Sequence, residues 1–321
     1  MLSSGVSSRC SSLPLQRVMT DFGADVAFAK VPNKLQEHYG ITMSPSTIRL
    51  ITLSHGEMMY EQECQNDEVL KGAGVEVQIG EIDGSMIPIM TPNEDSADKR
   101  KKKELSWQEG RLTLVHEQGH VSPQFSATFL GDVNDVGKGL KNSAIRNGFG
   151  RETQFHSVGD GAVWIANQVT DKFGTQGSYL IDFYHVCEYL ADAAKSCADI
   201  NPEEWIEEQK KRLKNNDYQI VIDHLFPYIE EDHIEESKAP VRACHRYLSN
   251  RTHQLDYKGA LEKGLPIGSG EIESAHRYII QKRLKLSGAW WKASNVDPML
   301  SLRVVRANGE WDNYWKNLQT A

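Results

Sequence analysis

The spacing of hydrophobic residues changes several times along the chain, and each change predicts a different kind of element. Apolar residues alternate at Val75, Val77 and Ile79, which predicts a β-strand that ends near Asp83-Gly84. Further strands are predicted, in chain order, over 111–116, 125–130, 153–158 and 177–183, with helices near 136–148 and from Ala162. The predicted order is three strands, helix, strand, helix, strand, a long helical segment to about Tyr257, and a final helix.

The segment Lys34–Gly56 has the pattern of two helices joined by a tight turn. Gly40 suits a left-handed position at the end of the first helix, Ser44 is a helix N-cap, and Pro45 fits the first turn of the second helix. Pro32 would either open or kink the first helix. This pattern is typical of a helix-turn-helix.

In a helix-turn-helix that binds DNA, the early residues of the second helix face the base edges of the major groove. Those residues here are Ser46, Thr47 and Arg49. An αα-hairpin inside any helical domain produces the same pattern, so both interpretations remain open.

The final helix follows a glycine-containing loop and carries both acidic and basic residues. Residues 264–291 read GLPIGSGEIESAHRYIIQKRLKLSGAWW, and 271–285 lack Gly and Pro, which predicts a helix. Glu273 and Arg277, four positions apart, share one helix face. The nearby cations are Arg277, Lys282, Arg283 and Lys285. A carboxylate here could hold a divalent metal while the cations contact phosphates, or the helix could be an ordinary surface helix with one ion pair.

The composition is that of a globular protein with an α/β core and one or two smaller units. Of the 321 residues, 39% are hydrophobic and 25% are charged. No apolar run approaches the length of a membrane span, and the first residues do not read as a signal peptide, so we expect a cytoplasmic protein. The five cysteines are widely spaced without a C-x-x-C pair, which argues against a disulfide framework or a structural zinc site.

The net charge of −8 is distributed unevenly. Residues 1–55 contain 5 Lys+Arg and 3 Asp+Glu, residues 56–238 contain 18 and 34, and residues 239–321 contain 13 and 7. Both ends are therefore basic, which is compatible with a nucleic-acid partner despite the negative total. The basic run Lys99–Lys103 could touch DNA phosphates or form a solvated hairpin tip.

Three acidic residues fall at positions that can converge at one edge of a mixed sheet. Asp83 and Asp160 are expected at strand ends, and Glu273 at the start of the final helix. Oxygen-rich clusters suit Mg²⁺, and two such ions can activate an attacking hydroxyl and stabilise the leaving oxygen of a phosphodiester. Each residue also has a local explanation, because Asp-Gly pairs are common in turns and Glu is favoured in a first helical turn.

This topology and several long blocks resemble the DDE transposases of the ribonuclease H-like superfamily, specifically the ISKra-type insertion-sequence transposases. The blocks are SLPLQRVMTDFGADVAFAKV, KLQEHYGI, EIDGSMIPI, VGDGAVWI, YLIDFYHVCEYLADAAK, RYLSNRTHQLDY, GLPIGSGEIESAHRYIIQKRLKLSGAWW and RANGEWDNYW. The resemblance implies an α/β fold: a ribonuclease H-like mixed sheet with an all-α insertion, preceded by a small N-terminal helical domain. It also implies that Asp83, Asp160 and Glu273 are the catalytic and metal-binding carboxylates, with Glu271 as the alternative to Glu273.

The resemblance implies a division of the chain into four parts. These are 1–72, the helical DNA-binding domain; 73–186, the first part of the catalytic core; 187–262, the all-α insertion; and 263–321, the final core helix and a C-terminal helical tail. Asp182 and His185 look like the Asp-x-x-His motif of Mutator-like transposases, where a role near transposon-end DNA is plausible. A core-facing histidine bonded to the aspartate is the competing interpretation.

The activity implied is Mg²⁺-dependent cleavage and strand transfer of double-stranded DNA, with Mn²⁺ as a possible substitute. Arg277, Lys282 and Arg283 would contact phosphates, and a homodimer or higher oligomer on DNA, associated with a prokaryotic nucleoid, is expected from the family. Trp290-Trp291 could stack on an unpaired base or belong to a buried aromatic cluster. Related proteins begin further upstream, so we expect a shortened N-terminus. Two alternatives remain: a non-catalytic DNA-binding regulator or inactive remnant, and a ribonuclease H-like structure-specific nuclease.

Overall fold

A computed structural model describes residues 11–92, 103–197 and 201–320. The strands are β1 Val77–Thr91, β2 Glu104–Glu117, β3 Gln124–Thr128, β4 Gln154–Gly159 and β5 Gly177–Ile181. The helices before β5 are α1 Leu13–Asp25, α2 Val31–Tyr39, α3 Pro45–Gln65, α4 Val133–Arg146 and α5 Val163–Phe173. Those after it are α6 Phe183–Cys197, α7 Pro202–Lys214, α8 Tyr218–Leu225, α9 Pro240–Ser249, α10 Tyr257–Glu262, α11 Gly270–His276, α12 Lys282–Leu284, α13 Val296–Ala307 and α14 Trp311–Thr320.

The strands form one mixed sheet in the order β3-β2-β1-β4-β5. β1 pairs antiparallel with β2, and β2 pairs antiparallel with β3. β1 also pairs in parallel with β4, and β4 in parallel with β5. The protein is therefore a mixed α/β protein, and its elements follow one another from β1 to β5 in the order predicted from the sequence.

β1 does not end at Asp83-Gly84, so that prediction is wrong. The strand continues to Thr91 because β2 pairs with it along its whole length, from Gln78↔Glu117 to Thr91↔Glu104. The parallel partner β4 stops earlier, at the pair Glu81↔Val158. On the other side β3 stays paired with β2 as far as Arg111↔Thr128, opposite Gly84. β1 and β2 therefore continue as a two-stranded arm only beyond Gly84, and Asp83 lies just before the arm leaves the sheet.

The N-terminal helices have the predicted caps. Gly40 ends α2 with φ of 64°, and the Ser44 hydroxyl accepts a hydrogen bond from the Thr47 backbone N–H at 3.1 Å. Pro32 lies in the first turn of α2 and opens that helix rather than kinking it. The second helix of the pair, α3, continues past Gly56 and ends at Gln65.

Helices cover both faces of the sheet. Ile82 packs on one face with α4 and α5, whereas Ile87 and Ile89 pack on the other with α3, α11 and α13. Helices α6–α10 surround a separate apolar cluster, which reaches the sheet through Leu180 and Ile181 of β5.

The helical segment after β5 is interrupted, so the expectation of continuous helix to Tyr257 is wrong. Residues 226–239 contain only two short 3₁₀ turns, at Phe226–Tyr228 and Glu236–Lys238. Within this stretch the Glu230 carboxylate accepts the backbone N–H groups of Val241 and Arg242 at the start of α9. A side chain from the interruption therefore caps the next helix. In the part of the chain described, no helix is long and apolar enough to cross a membrane.

Candidate functional site

Asp83 lies on β1 just beyond the end of its parallel neighbour β4. Its Oδ1 accepts the backbone N–H of Gly84 at 2.7 Å. Its Oδ2 lies 3.1 Å from Nε2 of His276 on α11, which is within ion-pair distance. The two atoms do not form a hydrogen bond in this geometry. The carboxylate is 39% exposed, and it can therefore also face a ligand.

Asp160 directly follows β4, and the backbone of its loop is bonded on several sides. The hydroxyl of Tyr247, on α9, donates to the Asp160 carbonyl oxygen at 2.6 Å. Nε of Arg251 donates to the Gly161 carbonyl oxygen at 2.8 Å, and the Tyr179 hydroxyl accepts the Gly161 N–H at 2.9 Å. The side chain of Asp160 is exposed, and its Oδ1 accepts the N–H of Ala162 at 2.9 Å.

Gly161 allows the backbone to turn at this point. Its φ is +83°, in the left-handed region that favours glycine, and a Cβ there would lie 2.5 Å from the Tyr247 hydroxyl oxygen. The close contact between the loop and α9 therefore requires glycine.

Glu273 is exposed on α11, and the loop before this helix is attached to the ends of β4 and β5. Nε2 of His156, on β4, lies 2.9 Å from the Pro266 carbonyl oxygen. The Phe183 N–H donates to the Ile267 carbonyl oxygen at 2.8 Å. These bonds place the start of α11 beside the strand ends.

The three predicted carboxylates line one cavity of about 640 Å³. The other lining residues are Ile82, Asp182, Tyr184, His185, Glu188 and the loop residues 266–270. The oxygen donors suit a hard divalent cation. Among the residues that the structure describes, however, no three His, Cys, Asp or Glu side chains lie close enough to form a ready metal-binding group. Binding a cation would thus require the carboxylates to turn toward one another.

Glu81 lies two residues before Asp83 and is almost completely buried. Its Oε2 accepts the backbone N–H of Ile272 at 2.7 Å. Burial raises the pKa of the Glu81 carboxyl to about 8, and the nearby Glu271, Asp182 and Glu273 add to the increase, partly opposed by the Ile272 hydrogen bond. The region is therefore rich in acidic groups, and one of them is removed from water.

Asp182 and His185 line the cavity, but they do not form the side-chain pair considered from the sequence. Oδ1 of Asp182 accepts the backbone N–H groups of Tyr184 and His185, and Oδ2 accepts the N–H and hydroxyl of Ser269. The His185 ring instead lies near Glu188, with Nδ1 3.5 Å from the carboxylate. Asp182 therefore connects the start of α6 to the loop before α11.

Glu271 and Glu273 lie in different surroundings. Glu273 lines the cavity, whereas Glu271 is not among the lining residues. The Glu271 carboxylate lies 3.3 Å from Nε2 of His116 on β2. The geometry favours Glu273 as the acidic residue at this cavity.

The cations predicted to contact DNA separate into exposed and buried side chains. Arg277 and Lys282 are exposed. Arg283 is only 2% exposed, its Nε donates to the Gly23 carbonyl oxygen, and its guanidinium lies over the rings of Phe28 and Trp291. Arg283 is therefore too buried to contact a DNA phosphate, which contradicts the prediction. Its side chain instead holds α1 against the final helical region.

The other residues predicted to contact DNA also differ in how exposed their side chains are. Ser46 and Arg49 are exposed at the start of α3, and Thr47 is half-buried. Trp291 is buried, whereas Trp290 is 38% exposed and its ring centroid lies 6.0 Å from that of Trp107. Of the basic run 99–103, only Lys103 lies within the described residues.

A second cavity, of about 690 Å³, lies between α3, α4, α13 and α14, away from the three carboxylates. Several of its charged side chains are held in ion pairs: Arg146 contacts Glu63 and Glu68, and Lys138 contacts Asp67 outside the cavity lining. We therefore place the candidate chemistry at the carboxylate cavity.

Four further residues at the site, Glu81, Tyr247, Arg251 and His276, were not predicted from the sequence. Each acts through a neighbour distant in sequence, so no local spacing marks it. All four lie in blocks that resemble the transposases: Glu81 begins EIDGSMIPI, His276 lies in the block of residues 264–291, and Tyr247 and Arg251 lie in RYLSNRTHQLDY. That resemblance was the available signal.

A model of an uncharacterised protein family (UPF0236) matches residues 27–316, which is most of the chain. The chain belongs to UPF0236. No curated protein matches this UPF0236 member. One solved structure, the Drosophila P element transposase strand transfer complex, aligns at 11% identity over 99% of this chain and 83% of that chain. Its TM-score of 0.32 is too low to carry an argument about fold or function.

Proposed function

We propose that this UPF0236 protein is a DDE transposase of an insertion sequence, with a ribonuclease H-like core. It would bind transposon-end DNA and catalyse Mg²⁺-dependent hydrolysis and strand transfer at phosphodiester bonds. The observation that supports this most directly is that Asp83, Asp160 and Glu273, from three distant parts of the sequence, line one cavity.

The element order supports the same proposal. The resemblance to ISKra-type transposases rested on three strands, a helix, a strand, a helix, a strand, a helical insertion and a final helix, and these elements occur here in that order. We assign 73–186 and 263–321 to the core, 187–262 to the insertion and 1–72 to DNA recognition. The bonds from Tyr247 and Arg251 to the Asp160 loop give the insertion a supporting role at the site.

Asp83 and Asp160 would share the bound Mg²⁺, or Mn²⁺ in its place, and Glu273 would complete the second position. Two bound ions would supply activation of the attacking water or 3′-hydroxyl and stabilisation of the leaving oxygen. The exposed carboxylates of Asp160 and Glu273 can rotate about their side-chain torsions toward this position.

DNA would cross the surface that carries Arg277 and Lys282, because both cations are exposed on the helical segment that follows Glu273. Ser46, Thr47 and Arg49 on α3 would face the base edges of the transposon end. Pairing of two ends would require a homodimer or higher oligomer.

The test is nicking of a labelled duplex made from the DNA that flanks the coding sequence, with and without Mg²⁺. The wild type is compared with Asp160→Asn, which keeps the side-chain volume and removes one negative charge. Asp171 is exposed on α5 and lies outside the cavity, so Asp171→Asn is the matched control. We expect Mg²⁺-dependent nicking by the wild type and the control, and none by Asp160→Asn.

A random duplex distinguishes the alternatives. Equal cleavage of flanking and random DNA would favour a structure-specific nuclease. Tight binding to the flanking DNA without cleavage by any variant would contradict the enzyme and favour a regulator or remnant. A second matched pair, Glu273→Gln and Glu271→Gln, tests the third carboxylate, and we expect only the first to abolish nicking.

A further inference from the structure

Two buried polar side chains connect β1 to α11 in opposite directions. Glu81 extends from β1 to the helix, where its Oε2 accepts the Ile272 N–H at 2.7 Å. His276 extends from the helix to β1, where its Nε2 lies 3.1 Å from Oδ2 of Asp83. The two contacts bracket the carboxylates, since Glu81 precedes Asp83 by two residues and His276 follows Glu273 by three.

The Glu81 contact replaces a helix cap. The first N–H groups of a helix have no partner within that helix and need an acceptor from elsewhere. Ser269 occupies the N-cap position of α11, but its side chain makes no capping bond and its hydroxyl donates to Asp182. The Glu81 carboxyl supplies an acceptor from β1 instead and so connects the first turn of α11 to that strand.

The His276 contact faces a carboxylate from the protein interior. His276 is 3% exposed, and neither ring nitrogen has a hydrogen-bond partner among the described residues. A buried polar group without a partner destabilises the folded state. Oδ2 of Asp83, 3.1 Å away, is within hydrogen-bonding distance of Nε2, although the present geometry forms no hydrogen bond.

We propose that Glu81 and His276 form a reciprocal brace that fixes Asp83 relative to Glu273, so that both carboxylates can bind one divalent-cation site. This inference rests on the proposed function. Both are positioning residues: Glu81 acts through the helix backbone, and His276 acts through the Asp83 carboxylate. Groups behind metal ligands typically contribute 10- to 100-fold to metal affinity or activity.

The test measures Mn²⁺ binding to the full chain without DNA, from the electron paramagnetic resonance signal of free Mn²⁺. Glu81→Leu removes the acceptor, whereas Glu81→Gln keeps an acceptor of the same reach. His276→Phe keeps the ring volume without a donor, whereas His276→Gln keeps a donor near the Nε2 position. We expect the Leu and Phe variants to bind Mn²⁺ about 10- to 100-fold more weakly and the two Gln variants to bind within about 3-fold of the wild type.

Thermal unfolding of each variant separates this effect from a general loss of stability. If Glu81→Leu or His276→Phe does not fold, Glu81→Asp and His276→Asn replace them, because each shifts the polar atom away from its partner while keeping a polar side chain. A lower unfolding temperature with unchanged Mn²⁺ affinity would overturn the brace. A Glu81→Gln variant as weak as Glu81→Leu would also overturn it, because Glu81 would then act through its charge.

Mn²⁺ binding by the wild type and the variants distinguishes an error in the brace from an error in the proposed function. If the wild type binds Mn²⁺ and Asp83→Asn abolishes that binding, unchanged affinity in the Leu and Phe variants overturns the brace alone. If the wild type shows no Mn²⁺ binding that depends on Asp83 or Glu273, both proposals fail together.

Discussion

Replacement of Asp182 by Asn tests whether the DFYH segment supports the site or binds a ligand. Asp182 is 6% exposed, and its two oxygens accept four hydrogen bonds. Two come from the backbone at the start of α6, and two come from Ser269 in the loop before α11. If these bonds are its role, the substitution must cost folding stability.

The expected cost follows from the donors around the carboxylate. The Asn side chain keeps one oxygen, but its amide nitrogen is only a donor and would face two donors. Two bonds to a charged acceptor are lost, each worth about 1.5–3 kcal/mol, so the free energy of unfolding should fall by about 3–6 kcal/mol. Nicking should also slow, because Ser269 precedes the helix that carries Glu273.

Urea unfolding at fixed pH measures the stability, and the nicking assay measures the rate. Asp192→Asn is the matched control, because Asp192 is exposed on the same helix α6 and pairs only with Lys195 in the contacts described. We expect the control to unfold within about 0.5 kcal/mol of the wild type. An Asp182→Asn variant within about 1 kcal/mol of the wild type that has lost Mn²⁺ binding would refute the structural explanation and make Asp182 a ligand.

Four further substitutions have expected outcomes. Burial lowers the pKa of His55 to about 4. The free energy of unfolding should therefore fall by about 3 kcal/mol as the pH is lowered from 6.5 toward 4. For His55→Gln, urea unfolding across this range should show a weaker dependence of that free energy on pH. Gly161→Ala should destabilise the Asp160 loop by about 1–3 kcal/mol and slow nicking, because φ is positive and the Tyr247 hydroxyl is too close; normal nicking would contradict the close-packing argument. Arg283→Met should lower the unfolding temperature without changing the salt dependence of DNA affinity, whereas Lys282→Ala should reduce that dependence.

Local signals predicted the parts of the fold that local physics decides. The left-handed glycine at Gly40, the cap at Ser44 and the proline at the start of α2 each act within one turn of a helix, and each lies where predicted. The strand end at Asp83-Gly84 was predicted by the same rules and is wrong, because pairing with β2 outweighs the local turn preference.

Contacts between distant residues could not be predicted from the sequence. Nothing near Arg283 distinguishes it from Lys282, yet one is enclosed by Phe28 and Trp291 and the other is exposed. Likewise, the hydroxyl of Tyr247 reaches the Asp160 backbone only because α9 packs against α6, in the apolar cluster that includes Leu180 and Ile181 of β5. Charge and composition identify candidate residues, but burial decides which of them can meet a ligand.

The choice between Glu271 and Glu273 shows how packing decides chemistry. Ile272, Ala275 and Ile279 are buried, and this apolar stripe fixes the rotation of the helix on the arm. Successive helical residues are about 100° apart, so the two glutamates that flank Ile272 must leave the helix on opposite sides of the stripe. One side meets His116, and the other meets the cavity shared with Asp83 and Asp160. The apolar residues of GSGEIESAH therefore determine which acidic residue faces the candidate metal site.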